Sequence, residues 1–234
     1  MIIKFITKID NLFQEKTQML IEDKLCDEII SYPKIDNQTT VSICGAADLG
    51  KSYLSKKIAE SLSKRNLKTN HLTLDSYLMD RKTRNKKGLS GYDIEAYNKK
   101  EALNNLIELK NGKSIEFKPY NHKDGEKGFD SMKMNPADIL IFDGLHSMHS
   151  SFLPYVDITI FIYTKDEYLK KIRRQADLIK RNYTTEFSEK ISENEFNLYK
   201  TNIESYREKA NYLLFLESKW KYKLIKTGYN TVYN

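Results

Sequence analysis

Residues 45–52 read Gly-Ala-Ala-Asp-Leu-Gly-Lys-Ser, two glycines separated by four residues and followed at once by a lysine and a hydroxyl. A short β-branched run, residues 40–44, comes before this octapeptide. Tyr53, Leu54, Ile58 and Leu62 recur at helical spacing after it, so strand, loop and helix are predicted in direct succession. In that context the loop wraps an anion with backbone N–H groups, the glycines permit the tight turns, and the helix adds the positive end of its dipole. Gly45, Ala46, Ala47, Asp48, Leu49, Gly50, Lys51 and Ser52 are therefore the expected phosphate-binding residues. Lys51 is placed to reach the β- and γ-phosphates of ATP, and the Ser52 hydroxyl to hold Mg²⁺. Asp48 and Leu49 stand where such loops usually carry small residues. An acid near phosphates is electrostatically unwelcome unless its side chain points away.

The rest of the chain continues the alternation of strand and helix. Strands are predicted at 68–74, 115–120, 138–142, 157–164, 211–216 and 221–225, and helices at 95–109, 167–183 and 192–210. The runs at 138–142 and 157–164 are apolar on both faces, as in a parallel sheet covered on each side by helices. The fold class expected is α/β, a P-loop NTPase fold with a mostly parallel, doubly wound sheet. Upstream, Ile9, Leu12, Phe13, Leu20, Ile21, Leu25 and Ile29 mark one or two amphipathic helices ended by Pro33. The division expected is an N-terminal helical extension, 1–36, and a main domain, 37–234. The extension offers a face to the main domain or to a second copy in a homodimer. Residues 75–91 read as an irregular, charged, mobile loop.

A chain of 234 residues with 40% hydrophobic and 30% charged residues suits one folded domain. The net charge of +7 favours anionic partners, but the lysines are interleaved with acids, so no nucleic-acid-binding stripe is expected. Cys26 and Cys44 are far apart, without metal-ligand spacing, which fits a reducing compartment. The apolar start is broken by Lys4 and Asp10, unlike a signal peptide, and no stretch reaches the length of a membrane span. A cytoplasmic location is expected.

Two acids end predicted strands. Asp75 follows the strand at 68–74, and Asp143 follows four apolar residues and precedes Gly144. In a doubly wound sheet such positions face the ligand crevice. Asp75 suits a base that accepts the proton of an attacking hydroxyl, or else a turn cap. Asp143 suits a Mg²⁺ ligand, or else a plain strand end. His146 and His149, three apart, have no third metal ligand in view and read as structural.

In this order the pieces resemble the uridine kinase and phosphoribulokinase group of P-loop kinases, over residues 40–181. Asp75-Ser76-Tyr77 resembles the group's Asp-Ser-Phe/Tyr, whose Asp is the base toward the substrate hydroxyl. The segment 91–97, with Asp93, is similar to the one carrying a substrate-ribose acid, and 113–122 to the one whose aromatic and His contact the substrate. Phe142-Asp143-Gly144 resembles its Glu-Gly strand end. Arg173, Arg174 and Arg181 resemble its arginine-rich lid. The resemblance implies an ATP- and Mg²⁺-dependent kinase for a small-molecule hydroxyl, with Tyr77, Asp93, Tyr120 and His122 toward the substrate. It also implies catalytic roles for Asp75, Lys51, Arg173, Arg174 and Arg181. The charged loop 80–88 is expected to order with substrate. Three readings stay open: a uridine-type nucleoside kinase, a same-fold kinase for another alcohol such as a sugar or sugar acid, and a nucleotide-binding switch protein.

Overall fold

A computed structural model of the chain describes residues 20–33 and 38–226. Its centre is a six-stranded sheet in the order β10-β9-β8-β1-β7-β2. The strands are β1 (Thr39–Gly45), β2 (Thr69–Thr73), β7 (Ile139–Asp143), β8 (Ile158–Tyr163), β9 (Tyr212–Ser218) and β10 (Lys221–Lys226). Five run parallel, and β10 turns back antiparallel to β9. Between β2 and β7 lie the short strands β3 (Ile115–Phe117), β4 (Tyr120–Asn121), β5 (Glu126–Lys127) and β6 (Met132–Met134), which pair as β3–β6 and β4–β5 outside the main sheet.

The central strands are covered on both faces because their side chains alternate between two cores. In β7, Ile139 and Ile141 join one apolar cluster and Leu140 and Phe142 the other. The first cluster is closed by α1 (Ile21–Ser31) and α2 (Lys51–Lys64), the second by α4 (Lys99–Lys110). Leu54, Ile58 and Leu62 on α2 are fully buried at i, i+4 and i+8, and each stabilises the fold by roughly 1.5–3 kcal/mol. Helix α5 (Asp166–Lys180) and helix α6 (Thr185–Asn202) follow β8.

Of the amphipathic stretch expected before residue 33, residues 2–19 lie outside the described residues. Helix α1 lays Leu25, Cys26 and Ile29 on the same core as the sheet, and Asp23 accepts a hydrogen bond from Ser61 of α2. Its apolar face is thus used against its own domain. Both cysteines are buried free thiols, and burial pushes Cys44 up to about 12. Among the described residues no helix is long and apolar enough to cross a membrane.

The segment 75–91 is less irregular than expected. It contains a 3-10 turn, Leu74–Tyr77, and a short helix, α3 (Arg81–Lys86). Helix α3 is tied to the β4–β5 hairpin: Lys127 N donates to Asp80 Oδ1 at 3.0 Å, and Arg84 Nη2 donates to Tyr120 Oη at 3.1 Å. Within 80–88, the residues 81–86 are thus helical and held at both ends by hydrogen bonds to the hairpin.

Register brings the functional ends together. Ile43 of β1 and Thr73 of β2 both pair with Asp143, the last residue of β7. The loop after β1, the turn after β2 and the end of β7 hence open side by side at the carboxyl edge of three adjacent strands, where α/β sheets bind ligands.

Candidate active site

The loop 45–50 is shaped by its glycines. Gly45 has φ +139 and Gly50 φ +83, and a Cβ on Gly45 would stand 2.3 Å from the Ile162 carbonyl oxygen. Ala46 and Leu49 are fully buried beneath the loop, so Leu49 acts as an apolar anchor. Ala47, Asp48, Gly50, Lys51 and Ser52 line a cavity of about 370 Å³. Lys51 Nζ donates to the carbonyls of Gly45 (3.1 Å) and Ala46 (2.9 Å), so its ammonium rests across the mouth of its own loop.

The acid at the end of β7 meets this loop. Ser52 Oγ donates to Asp143 Oδ2 at 2.8 Å, and His71 Nε2 of β2 stands 3.1 Å from Asp143 Oδ1. Burial alone would raise the Asp143 pKa, but His71, the Ser52 hydroxyl and Lys51 outweigh it and hold the carboxyl below its usual range. Oδ1 is buried and receives no well-directed hydrogen bond. A hydroxyl and an ionised carboxylate with a spare buried oxygen form a hard-oxygen donor set that fits Mg²⁺. Among the described residues no cluster of three or more His, Cys, Asp or Glu side chains is arranged to hold a metal by itself.

Asp75 lines the same cavity from the turn after β2, with its Oδ2 at 3.0 Å from His122 Nε2. Its backbone N–H is accepted by the Thr73 hydroxyl, so Thr73, not Asp75, caps the turn. Tyr120 and His122 also line the cavity, their rings edge-to-face with centroids 5.1 Å apart. Arg173 and Arg181 reach it from α5 and its C-terminal end.

Among the residues expected to have catalytic or substrate-binding roles, three fall elsewhere. Tyr77 is fully buried, with its hydroxyl accepting from Asn105 Nδ2 at 2.9 Å, and is part of the core. Asp93 does not line the cavity; its Oδ2 accepts from Ser90 N at 2.7 Å and closes a local turn. Arg174 faces away from the cavity and pairs with Glu189 on α6. It sits about 100° round the helix from Arg173, enough to turn it to the outer face. His146 is structural as read: Nδ1 lies 3.1 Å from Tyr206 Oη and Nε2 3.0 Å from the Tyr92 carbonyl.

The structure adds residues that carry no signal in the sequence. His71 is one. Tyr53 and Trp220 are a second case: their rings stack with centroids 4.4 Å apart beside Gly50, at the cavity's edge. Tyr222 Oη donates to the Leu49 carbonyl at 2.9 Å and ties the β9–β10 hairpin to the loop. A third is Glu195 of α6, which pairs with Arg173. All three arise from contacts between distant segments.

The model of the phosphoribulokinase / uridine kinase family matches residues 40–212. Curated relatives include uridine kinases of Staphylococcus aureus strains, such as Newman, 26% identical over 140 residues; the match covers 58% of this chain and 66%, just under two thirds, of theirs. Among solved structures, phosphoribulokinase from Rhodobacter spheroides superposes with a TM-score of 0.64 at 16% identity, covering 76% of this chain and 70% of that one. D-glycerate 3-kinase from Cryptococcus neoformans superposes at 0.65 with 11% identity, covering 88% and 99%. At these identities the two structures speak for the fold.

Proposed function

Because the chain belongs to the phosphoribulokinase / uridine kinase family, we propose that it is a cytoplasmic, ATP-dependent kinase that transfers the γ-phosphoryl group to a hydroxyl of a small metabolite, a nucleoside in the uridine kinase manner. Residues 37–234 form the kinase domain and 1–36 an extension to it. The observation that carries this reading is that Asp75, Lys51, Ser52 and Asp143 line one cavity. A phosphate-binding loop, a cation site and a base within one cleft are what phosphoryl transfer to an alcohol requires.

In this mechanism the backbone N–H groups of 45–52 and the Lys51 ammonium bind the phosphates. Lys51 exchanges its two loop carbonyls for phosphate oxygens. Ser52 and Asp143 would hold Mg²⁺, which supplies positive charge against the phosphates. Asp75 takes the proton of the acceptor hydroxyl; His122 engages Oδ2 and leaves Oδ1 for that hydroxyl. Arg173 and Arg181 place positive charge toward the transferring group.

A second reading, a non-nucleoside alcohol as acceptor, is favoured by a specific observation. Tyr77 and Asp93, two of the residues expected on the substrate side, do not line the cavity. The D-glycerate 3-kinase superposition is compatible with that reading. ADP release from Mg-ATP, measured with uridine, cytidine, other nucleosides, glycerate, pantothenate and common sugars, tests both. Stimulation by uridine or cytidine alone supports the nucleoside kinase. Stimulation by another acceptor keeps the mechanism and replaces the substrate. No stimulation by any acceptor, with ATP bound, would turn the assignment to the nucleotide-binding switch protein.

A further inference from the structure

Asp48, the one acid in the octapeptide 45–52, does not point away from the site. Its backbone is left-handed, φ 65, and its side chain is only 6% exposed. The carboxylate reaches α5: Oδ2 accepts from Arg181 Nη2 at 3.0 Å and lies 3.8 Å from Arg173 Nη1, and Oδ1 accepts from Lys180 Nζ at 3.1 Å. Two further carboxylates share these cations. Asp177 lies 3.0 Å from Arg181 and 3.8 Å from Arg173, and Glu195 pairs with Arg173. Three cations thus face three carboxylates, and the cluster carries no net charge.

Asp177 rides on the same helix as the arginines, at i,i+4 from both. Asp48 alone in the cluster belongs to the phosphate loop. It therefore ties α5 to the loop and cancels one charge of the cations that line the cavity. A nucleotide brings several negative charges to the same loop, so its phosphates and this carboxylate compete for the same donors.

We propose that Asp48 is the phosphate loop's internal counter-anion: it holds Arg173, Lys180 and Arg181 at the loop and sets nucleotide affinity, because incoming phosphates must take those cations from it. This rests on the reading of the loop as a nucleotide triphosphate site. Asp48 is a positioning residue, acting through the arginines and the lysine.

The test is calorimetric titration of the full chain with ATP and AMP. Asp48→Asn removes the charge and suits φ 65, since asparagine tolerates the left-handed region; Asp48→Gly suits it as well and serves as the second variant. Both variants are expected to bind ATP about fivefold or more tightly than the wild type, with a smaller gain for AMP, as fewer phosphate charges compete. Arg181→Met is expected to cost more ATP affinity in the Asp48→Asn background than in the wild type, because only in the wild type must phosphate first displace the Asp48 carboxylate from the guanidinium. A merely structural role for Asp48 predicts neither the ATP-over-AMP order nor that coupling. Unchanged or weaker ATP binding in both Asp48 variants, or an equal cost of Arg181→Met in the two backgrounds, overturns the proposal while leaving the kinase reading intact. Absence of ATP binding in the wild type and both variants overturns the two together.

Discussion

Ser52 Oγ donates a 2.8 Å hydrogen bond to Asp143 Oδ2, joining the first turn of α2 to the last residue of β7. The two residues are 91 apart in sequence, yet the parallel register of β1 and β7 places them at one edge of the sheet. Asp143→Asn keeps the shape and can still accept from Ser52, but it removes the charge needed by a cation. Turnover is expected to fall about 100-fold or more, with the Mg²⁺ concentration for half-maximal rate raised about tenfold. A Mg²⁺ titration of acceptor-stimulated ADP release measures both. An unaltered Mg²⁺ dependence would remove Asp143 from the cation site.

Asp75 Oδ2 stands 3.0 Å from His122 Nε2, on the turn after β2 rather than on the phosphate loop. Asp75→Asn is therefore expected to lower turnover by about 10²–10⁴-fold while nucleotide affinity changes by about twofold or less. Single-turnover ADP formation and equilibrium ATP titration, run on the same preparation, separate the two effects. Near-normal turnover would sink Asp75 as the base.

Legibility in the sequence followed contiguity. The loop 45–52, Asp75 and Asp143 were readable because each sits inside a single strand–loop segment whose hydrophobic pattern fixes where the strand ends. The partners of these residues were not. His71 lies mid-strand in β2, and its approach to Asp143 depends on which strand neighbours β2. Tyr53 and Trp220 meet only because the β9–β10 hairpin folds back over Gly50. The fate of Asp48 depends on cations 125–133 positions away. Tyr77 and Arg174 show the converse limit. Each neighbours a cavity-lining stretch in sequence, but a turn in one case and the helical 100° step in the other send the side chain into the core or to the outer face.

Gly50 is required by contact as well as by conformation. Its φ is +83, and a Cβ there would lie 2.4 Å from Tyr222 Oη and 2.5 Å from Trp220 Cζ3. Gly88 has a similar φ of +65 with nothing within 4 Å. Gly88→Ala is expected to cost about 1 kcal/mol of stability from backbone strain alone, and Gly50→Ala about 2–3 kcal/mol because the Trp220 and Tyr222 rings must also shift. Urea unfolding of the two variants compares them directly. Since Trp220 is the single tryptophan, its emission also reports whether the hairpin has moved off the loop. Equal costs for the two substitutions would mean that the hairpin yields freely.

The fold is expected to lose stability in mild acid through His146. This residue is 1% exposed among Tyr92, Tyr97 and Tyr206, and burial is the main cause that lowers its pKa to about 4. His149 adds a further lowering, while the Tyr92 carbonyl, Asp93 and Glu95 act in the opposite direction. The unfolded chain takes up a proton on this residue near pH 6.5, and the folded chain does so only near pH 4. Between those values the unfolded state binds more protons, so stability rises with pH across the window and falls as pH is lowered through it. Below about pH 4 the full loss is on the order of 3 kcal/mol from this residue. His146→Gln keeps a donor and an acceptor without the titration. Its unfolding midpoint is expected to fall less between pH 7 and pH 4.5 than that of the wild type, even where it is lower at pH 7 from imperfect packing. Parallel pH profiles for the two proteins would place the acid sensitivity in other groups.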